Sequence, residues 1–256
     1  MYDAVITFIC LHLFIYPASN GFNSFYDKDE GSIGGVEKPL PVSSQLLWFS
    51  LLLDLAGILL AATINFTFML MVLVYGLVSK AYSHPTIRLK KYPIPAWLSI
   101  FIFQGGFTYF MAISGIMDLN FEFLFMEENR IYLALFSSFS LGGVYPVTQI
   151  YQHEQDRKAG DNTLSMKLGK LGTLLWFGFF NFISLVFMVY YRWQEKRMDF
   201  LFLLVGLVPV LLFHSWWLMK VKRDPLAANF KNTMRLNLLA SLSLNSIFVL
   251  SILLGW

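Results

Sequence analysis

Apolar residues run through this chain in long blocks; they neither alternate with polar residues nor mark one face of otherwise polar helices. Bounded by charge or by Pro and Gly, the blocks cover about 3–19, 44–62, 65–82, 95–117, 130–151, 171–191, 199–219 and 235–255. Helices hydrophobic all round, several of them long enough to cross a hydrocarbon core of about 30 Å, belong in a bilayer. The pattern predicts an all-α integral-membrane bundle of about eight transmembrane helices. A membrane β-barrel is excluded, because its strands would alternate.

Polar connections fall on two sides: 20–43, 83–94, 152–170 and 220–234 on one, and 63–64, 118–129 and 192–198 on the other. Of nineteen Lys and Arg, fifteen lie on the first side or its flanking helix ends, and only Arg130, Arg192, Lys196 and Arg197 lie on the second. The positive-inside rule makes the first side cytoplasmic. The loop with Asp118, Glu122, Glu127 and Glu128 then faces outward. Composition agrees: 57% of residues are hydrophobic and 14% charged, with a mean hydropathy of +0.59, whereas a soluble domain is about a quarter charged.

The net charge of +3 comes from these loops. It therefore speaks for orientation among membrane lipids, and no nucleic-acid partner is expected. Cys10 is the single cysteine, so no internal disulfide forms. The first residues carry Asp3 and no basic group, which argues against a signal peptide. This layout puts the N-terminus outside, behind a first helix of about seventeen residues with no basic flank. A further helix upstream would make nine and return the N-terminus to the cytoplasm; the alternative is a short helix held by its neighbours.

One internal repeat stands out. Asn23, Asp27 and Gly31 follow the first block at i, i+4 and i+8, and Gln152, Asp156 and Gly160 follow the fifth in the same pattern, each 129 positions later. Residues four apart share a helix face, so each pair can aim its oxygens at one centre if the helices extend into the loops, with Asn20 joining the first face. Two such clusters suit Mg2+, a hard ion that takes a few protein oxygens and completes its shell with water and phosphate. The plainer reading is a pair of solvated helix ends.

"AYSHPTIRLKKYP" favours the sharper reading by placing Tyr82, Ser83, Arg88, Lys90 and Lys91 on the same side. Acidic clusters beside a basic loop form a site for metal-bridged diphosphate.

Together "NSFYDKDEGSIGG", "YSHPTIRLKK" and "YQHEQDRKAGDNTLSMKLG" resemble the two Asp-rich motifs and the intervening tyrosine and basic motif of the UbiA superfamily of intramembrane prenyltransferases. The similarity runs from about residue 16 to the last helix and implies one domain of this type over residues 1–256. It implies a nine-helix fold lacking its first helix, Mg2+-assisted departure of diphosphate from a prenyl diphosphate, and attack on the allylic cation by a lipid-soluble acceptor. An aromatic-rich cavity would hold the isoprenoid tail and exclude water. Carried over by position, Asn23, Asp27, Gln152 and Asp156 hold the metal, with Glu154 as a further ligand. Asp27 and Asp156 are the catalytic pair, and Asn23, Tyr82, Arg88, Lys90, Lys91, Gln152 and Arg157 contact diphosphate. The resemblance also places the chain in the cell inner membrane.

The motifs depart from the family's usual form. Ser24, Gly31 and Gln152 stand where acids are usual, which implies weaker metal binding or greater use of amide oxygens and water, unless Asp29 and Glu30 turn inward. Two other readings follow: a homologue that binds isoprenoid without turnover, and a small transporter, although paired polar clusters at helix ends rather than at the midplane argue against a carrier. A phosphatidyl-transferase would need a denser Asp cluster in one segment. Asp54 lies mid-membrane and suggests a structural hydrogen bond or a neutral acid. The four histidines show no zinc spacing. "FQGGF" and "LGGVYP" suggest close helix packing ahead of cavity space, and Trp176, Trp193, Trp216 and Trp217 an interfacial belt.

Overall fold

The computed structural model describes residues 2–28, 31–33, 35–195 and 200–254. Eight helices there are long and apolar enough to cross a bilayer: α1 (Tyr2–Asp27), α2 (Ser44–Ala62), α3 (Phe66–Ser83), α4 (Pro93–Met117), α5 (Glu128–Gln149), α6 (Leu164–Gln194), α7 (Leu201–Arg223) and α8 (Phe230–Leu253). Each follows one of the eight apolar blocks. The all-α membrane bundle expected from the sequence is the fold of the chain.

Two ends differ from the block boundaries, and both matter for the site. α1 continues through Asp27, where Lys28 takes a left-handed conformation and its N–H bonds the Ser24 carbonyl. α6 starts earlier than its apolar block, because Thr163 caps it by accepting from the Met166 N–H. It then bends at Gly169, whose φ of 68° suits only glycine without strain.

Successive helices pack together, and α4 also meets α1 while α5 lies along α6. One core gathers Ile15, Phe68, Met71 and Met111 from α1, α3 and α4, and a second gathers Val147, Leu174, Phe177, Trp217 and Leu236 from α5 to α8. The bundle thus has two halves, joined where α4 meets α5. At that seam a Cβ on Gly105 would stand 2.5 Å from the Ser138 Cα, and the freed Gly106 N–H donates to Ser138 Oγ at 2.8 Å. Within α5, Pro146 has no N–H to offer the Gly142 carbonyl one turn earlier. Trp97 and Trp176 supply it instead, both indoles donating to that oxygen, at 2.9 and 3.0 Å.

One expectation needs correction. Trp176 and Trp217 are not interfacial anchors: Trp217 is fully buried and donates to the Ala227 carbonyl at 2.7 Å, because a buried indole needs a partner. Trp193 and Trp216 remain exposed. Asp54 makes its structural contact with Lys80, which, counted from sequence among the cytoplasmic charges, turns inward to pair with it. A charge at that depth is tolerable when its partner is supplied.

Candidate active site

The motif ends of α1, α3 and α5 surround a cavity of about 460 Å³. Asn20, Asn23, Ser24 and Asp27 form one wall because they share a face of α1. The opposite wall comes from Gln149 at the end of α5 and from the short helix His153–Ala159. That helix is not a straight continuation of α5, which stops at Gln149. Gln152 caps the short helix, and its carbonyl accepts the Asp156 N–H at 2.9 Å, placing Gln152 and Asp156 one turn apart. Tyr82, Arg88 and Lys90 close the third side from the end of α3 and the turn after it.

These groups are already linked. Lys90 pairs with Asp27, joining the basic turn to α1. Ser83 Oγ donates to the Asn23 side-chain amide oxygen Oδ1. Arg88 grips Asp161 with two parallel bonds, Nε to Oδ1 and Nη2 to Oδ2, each 3.0 Å. The Asn162 N–H donates to the Lys91 carbonyl at 3.1 Å, a second tie between the same two loops. Gln152 Nε2 donates to the Ser32 carbonyl at 2.9 Å, drawing the loop after α1 over the cavity. The Tyr82 and Tyr145 hydroxyls meet at 2.7 Å.

Burial pulls the Lys90 ammonium below its ordinary value, against the opposing pull of Asp161 and Asp156. His153 is also held low, by burial first and then by Lys170 and Arg157. Its Nε2 meets Ser165 Oγ at 2.7 Å, so it anchors the short helix on α6.

The sequence matches the model of the UbiA prenyltransferase family over residues 2–239. The chain belongs to that family. Its fold is similar to that of a UbiA homologue from Archaeoglobus fulgidus bound to DMAPP and Mg2+, with a TM-score of 0.67, 17% identity, and coverage of 97% of this chain and 87% of that one. The same homologue bound to GPP and Mg2+ gives 0.66 at 17% identity, covering 97% and 87%. A digeranylgeranylglyceryl phosphate synthase gives 0.58 at 17% identity, covering 97% and 91%. No curated protein matches the sequence.

Within this UbiA chain, Asn23, Asp27, Tyr82, Arg88, Lys90, Gln152 and Asp156 all line the one cavity. Glu154, Arg157 and Lys91 do not: all three are exposed. The short helix turns Gln152, Gln155, Asp156 and Ala159 inward, so Arg157, about 100° round from Asp156, must face away. Glu154 faces out toward Lys158, at 3.6 Å. Asp29 and Glu30 lie outside the described residues.

Asp161, Tyr145, Thr148 and Gln149 join the lining without having been singled out as site residues. Asp161 was visible in the trailing "GDNTLSMKLG", whereas Tyr145 stood in a glycine motif read first for packing and second for cavity space.

Among the described residues no three His, Cys, Asp or Glu side chains form a metal cage. The cavity offers the carboxylates of Asp27 and Asp156 with the amide oxygens of Asn23 and Gln152. That donor set fits Mg2+, which is held by one or two carboxylates together with phosphate and water.

Proposed function

We propose that this chain is an integral-membrane prenyltransferase that transfers an isoprenoid group from a prenyl diphosphate to a lipid-soluble acceptor, with Mg2+ as cofactor. The observation that carries the reading is the convergence of Asn23, Asp27, Gln152 and Asp156 with Arg88 and Lys90 on one cavity at the helix ends. Family membership and the DMAPP- and GPP-bound UbiA homologue support it. The domain is a single unit, and the motif loops face the cytoplasm by the excess of basic residues on that side.

Asn23, Asp27, Gln152 and Asp156 would hold the ion. When bound, Mg2+ neutralises diphosphate charge and stabilises it as a leaving group. Lys90 and Arg88 line the same cavity and would receive phosphate oxygens, Lys90 exchanging its Asp27 carboxylate for them and Arg88 keeping its grip on Asp161. The C1–O bond of the prenyl diphosphate breaks with its electron pair going to diphosphate. An electron pair of the acceptor then forms the new bond to C1, and the acceptor gives up a proton to the departing diphosphate. Tyr82 and Tyr145 present π faces and hydroxyls beside the position where positive charge develops.

The test is release of diphosphate from geranyl diphosphate by protein in membranes, with and without Mg2+. Release that needs Mg2+ and falls by about 100-fold or more in both Asp27→Asn and Asp156→Asn supports the reading. Release equal in the folded variants and the parent chain sinks it, and points to binding without turnover.

A further inference from the structure

Outside the candidate active site, at the same end of the bundle, α7 and α8 bring basic residues together. Lys220, in the last turn of α7, and Lys231 and Arg235, near the start of α8, line one cavity of about 350 Å³. Among the described residues none of the three forms an ion pair, and neither does Glu37, the single acid on the cavity wall. Lys80, Arg88, Lys90 and Lys158, by contrast, each meet a carboxylate. An excess of basic residues at this end accounts for their presence, but not for three converging on one cavity without counter-charge.

Below the cations the same helix faces turn apolar. On α7, Lys220, Trp216 and Leu212 follow at four-residue steps and so share a face, with the Lys220 ammonium over the Trp216 ring at 4.9 Å. On α8, Lys231, Arg235, Leu238 and Leu242 follow at steps of four, three and four. Every member of the two rows is exposed. The rows lead into a further cavity of about 370 Å³ between the same helices, lined by Leu242 itself with Phe202, Val205 and Ser246. Lys231 and Leu242 stand about 16 Å apart along α8 at 1.5 Å per residue. That is close to half of a hydrocarbon core of about 30 Å, the depth of one leaflet.

We infer that this groove holds one anionic phospholipid of the adjoining leaflet, its phosphate among Lys220, Lys231 and Arg235 and its acyl chains along Leu212, Leu238 and Leu242. Trp216 then lies at the level of the glycerol and ester groups, where an indole is favoured. A zwitterionic lipid would bring its own cation to the cluster. A second copy of the chain is a poorer occupant, because a two-fold contact through this face would set the three cations against their own copies. The site is separate from the diphosphate cavity, and the inference stands independently of the prenyltransferase reading.

The experiment is native mass spectrometry of the purified chain in detergent, with dioleoyl-phosphatidylglycerol, dioleoyl-phosphatidylcholine or dihexanoyl-phosphatidylglycerol added. Each Lys or Arg near an anionic lipid contributes about fivefold, so the first phosphatidylglycerol should bind about tenfold or more tighter than phosphatidylcholine. The dihexanoyl lipid carries the same head on short chains and should bind about tenfold or more weaker than its dioleoyl counterpart, because little hydrocarbon remains to bury. Lys220→Gln, Lys231→Gln and Arg235→Gln, made together, should cut the preference for the anionic head to about twofold or less. Lys167→Gln, Lys222→Gln and Arg223→Gln, made together, remove the same charge from exposed positions outside the cavity and should leave the preference intact.

Equal retention of the two dioleoyl lipids overturns the proposal, as does a preference that survives the first triple variant or falls equally in both, each shown to be folded by circular dichroism. Equally tight binding of the dihexanoyl lipid also overturns it, since the cluster would then be reading a phosphate head alone.

Discussion

Lys90, on the turn after α3, and Asp27, at the last residue of α1, form an ion pair across 63 positions of sequence. The pair neutralises a carboxylate assigned to the metal with a cation assigned to phosphate. In the ligand-free protein each holds the other in place. Substrate and ion would separate them, exchanging one charge partner for another without exposing either.

A pH dependence follows from this arrangement. Lys90 is held below the ordinary lysine value of 10.5 by burial, so as pH rises it loses its proton earlier than a surface lysine does. Its cation is fully present below the lowered value and is lost as pH climbs through it. The KM for prenyl diphosphate should therefore rise on the alkaline side, beginning below 10.5. Lys90→Arg, which stays charged, should remove that limb, and a KM profile of the two proteins checks this.

Gln152 occupies a position facing Asp27 and Asn23 across the cavity but brings no charge. Gln152→Asp adds a carboxylate beside Asp156, at the cost of the bond to the Ser32 carbonyl. Divalent-ion affinity follows ligand charge, so the Mg2+ concentration for half-maximal diphosphate release should fall by roughly tenfold. A Mg2+ titration of the variant against the parent decides it.

Arg88 serves as a clamp between loops. Its two-pronged grip on Asp161 cannot be reproduced by lysine. Arg88→Lys is expected to destabilise the loop pair by about 2 kcal/mol, read as faster amide hydrogen exchange at Asp161 and Asn162 and a higher KM. Unaltered exchange there would count against the clamp.

The exposed residues make a negative control. Lys91→Gln, Glu154→Gln and Arg157→Gln, made together, should leave kcat and KM within about twofold of the parent, because none of the three side chains faces the cavity. A large loss in this triple variant would put the motif's charged edge back into the site.

At the seam of the two halves, Gly105→Ala sets a methyl group against the Ser138 backbone. Overpacking of this kind costs about 1–3 kcal/mol. A lowered Tm, partly restored by Ser138→Gly, is the expected result.

The spans were legible because a bilayer demands uninterrupted apolar length, and little else in the sequence competes with that signal. The i, i+4 spacing of Asn23 and Asp27 foretold a shared face because α1 does continue to Asp27. The same spacing at Gln152 and Asp156 gave the right neighbours through a different local structure, a break after Gln149 followed by a short helix. Counting residues could not orient Arg157 or Glu154, since the direction of that helix depends on distant partners, His153 meeting Ser165 on α6 and Gln152 meeting the Ser32 carbonyl. Lys80 does stand in the last turn of α3, as counted, but its side chain turns inward to Asp54, a contact that a count of charges does not show.

The cavity opens at the ends of α1, α3 and α5 rather than halfway down the bundle. For the proposed reaction this decides how the product leaves. A molecule joined at that level has its new bond close to the height of the lipid headgroups and its hydrocarbon alongside the acyl chains. It can slide sideways into the leaflet where it was made, with no somersault across the bilayer.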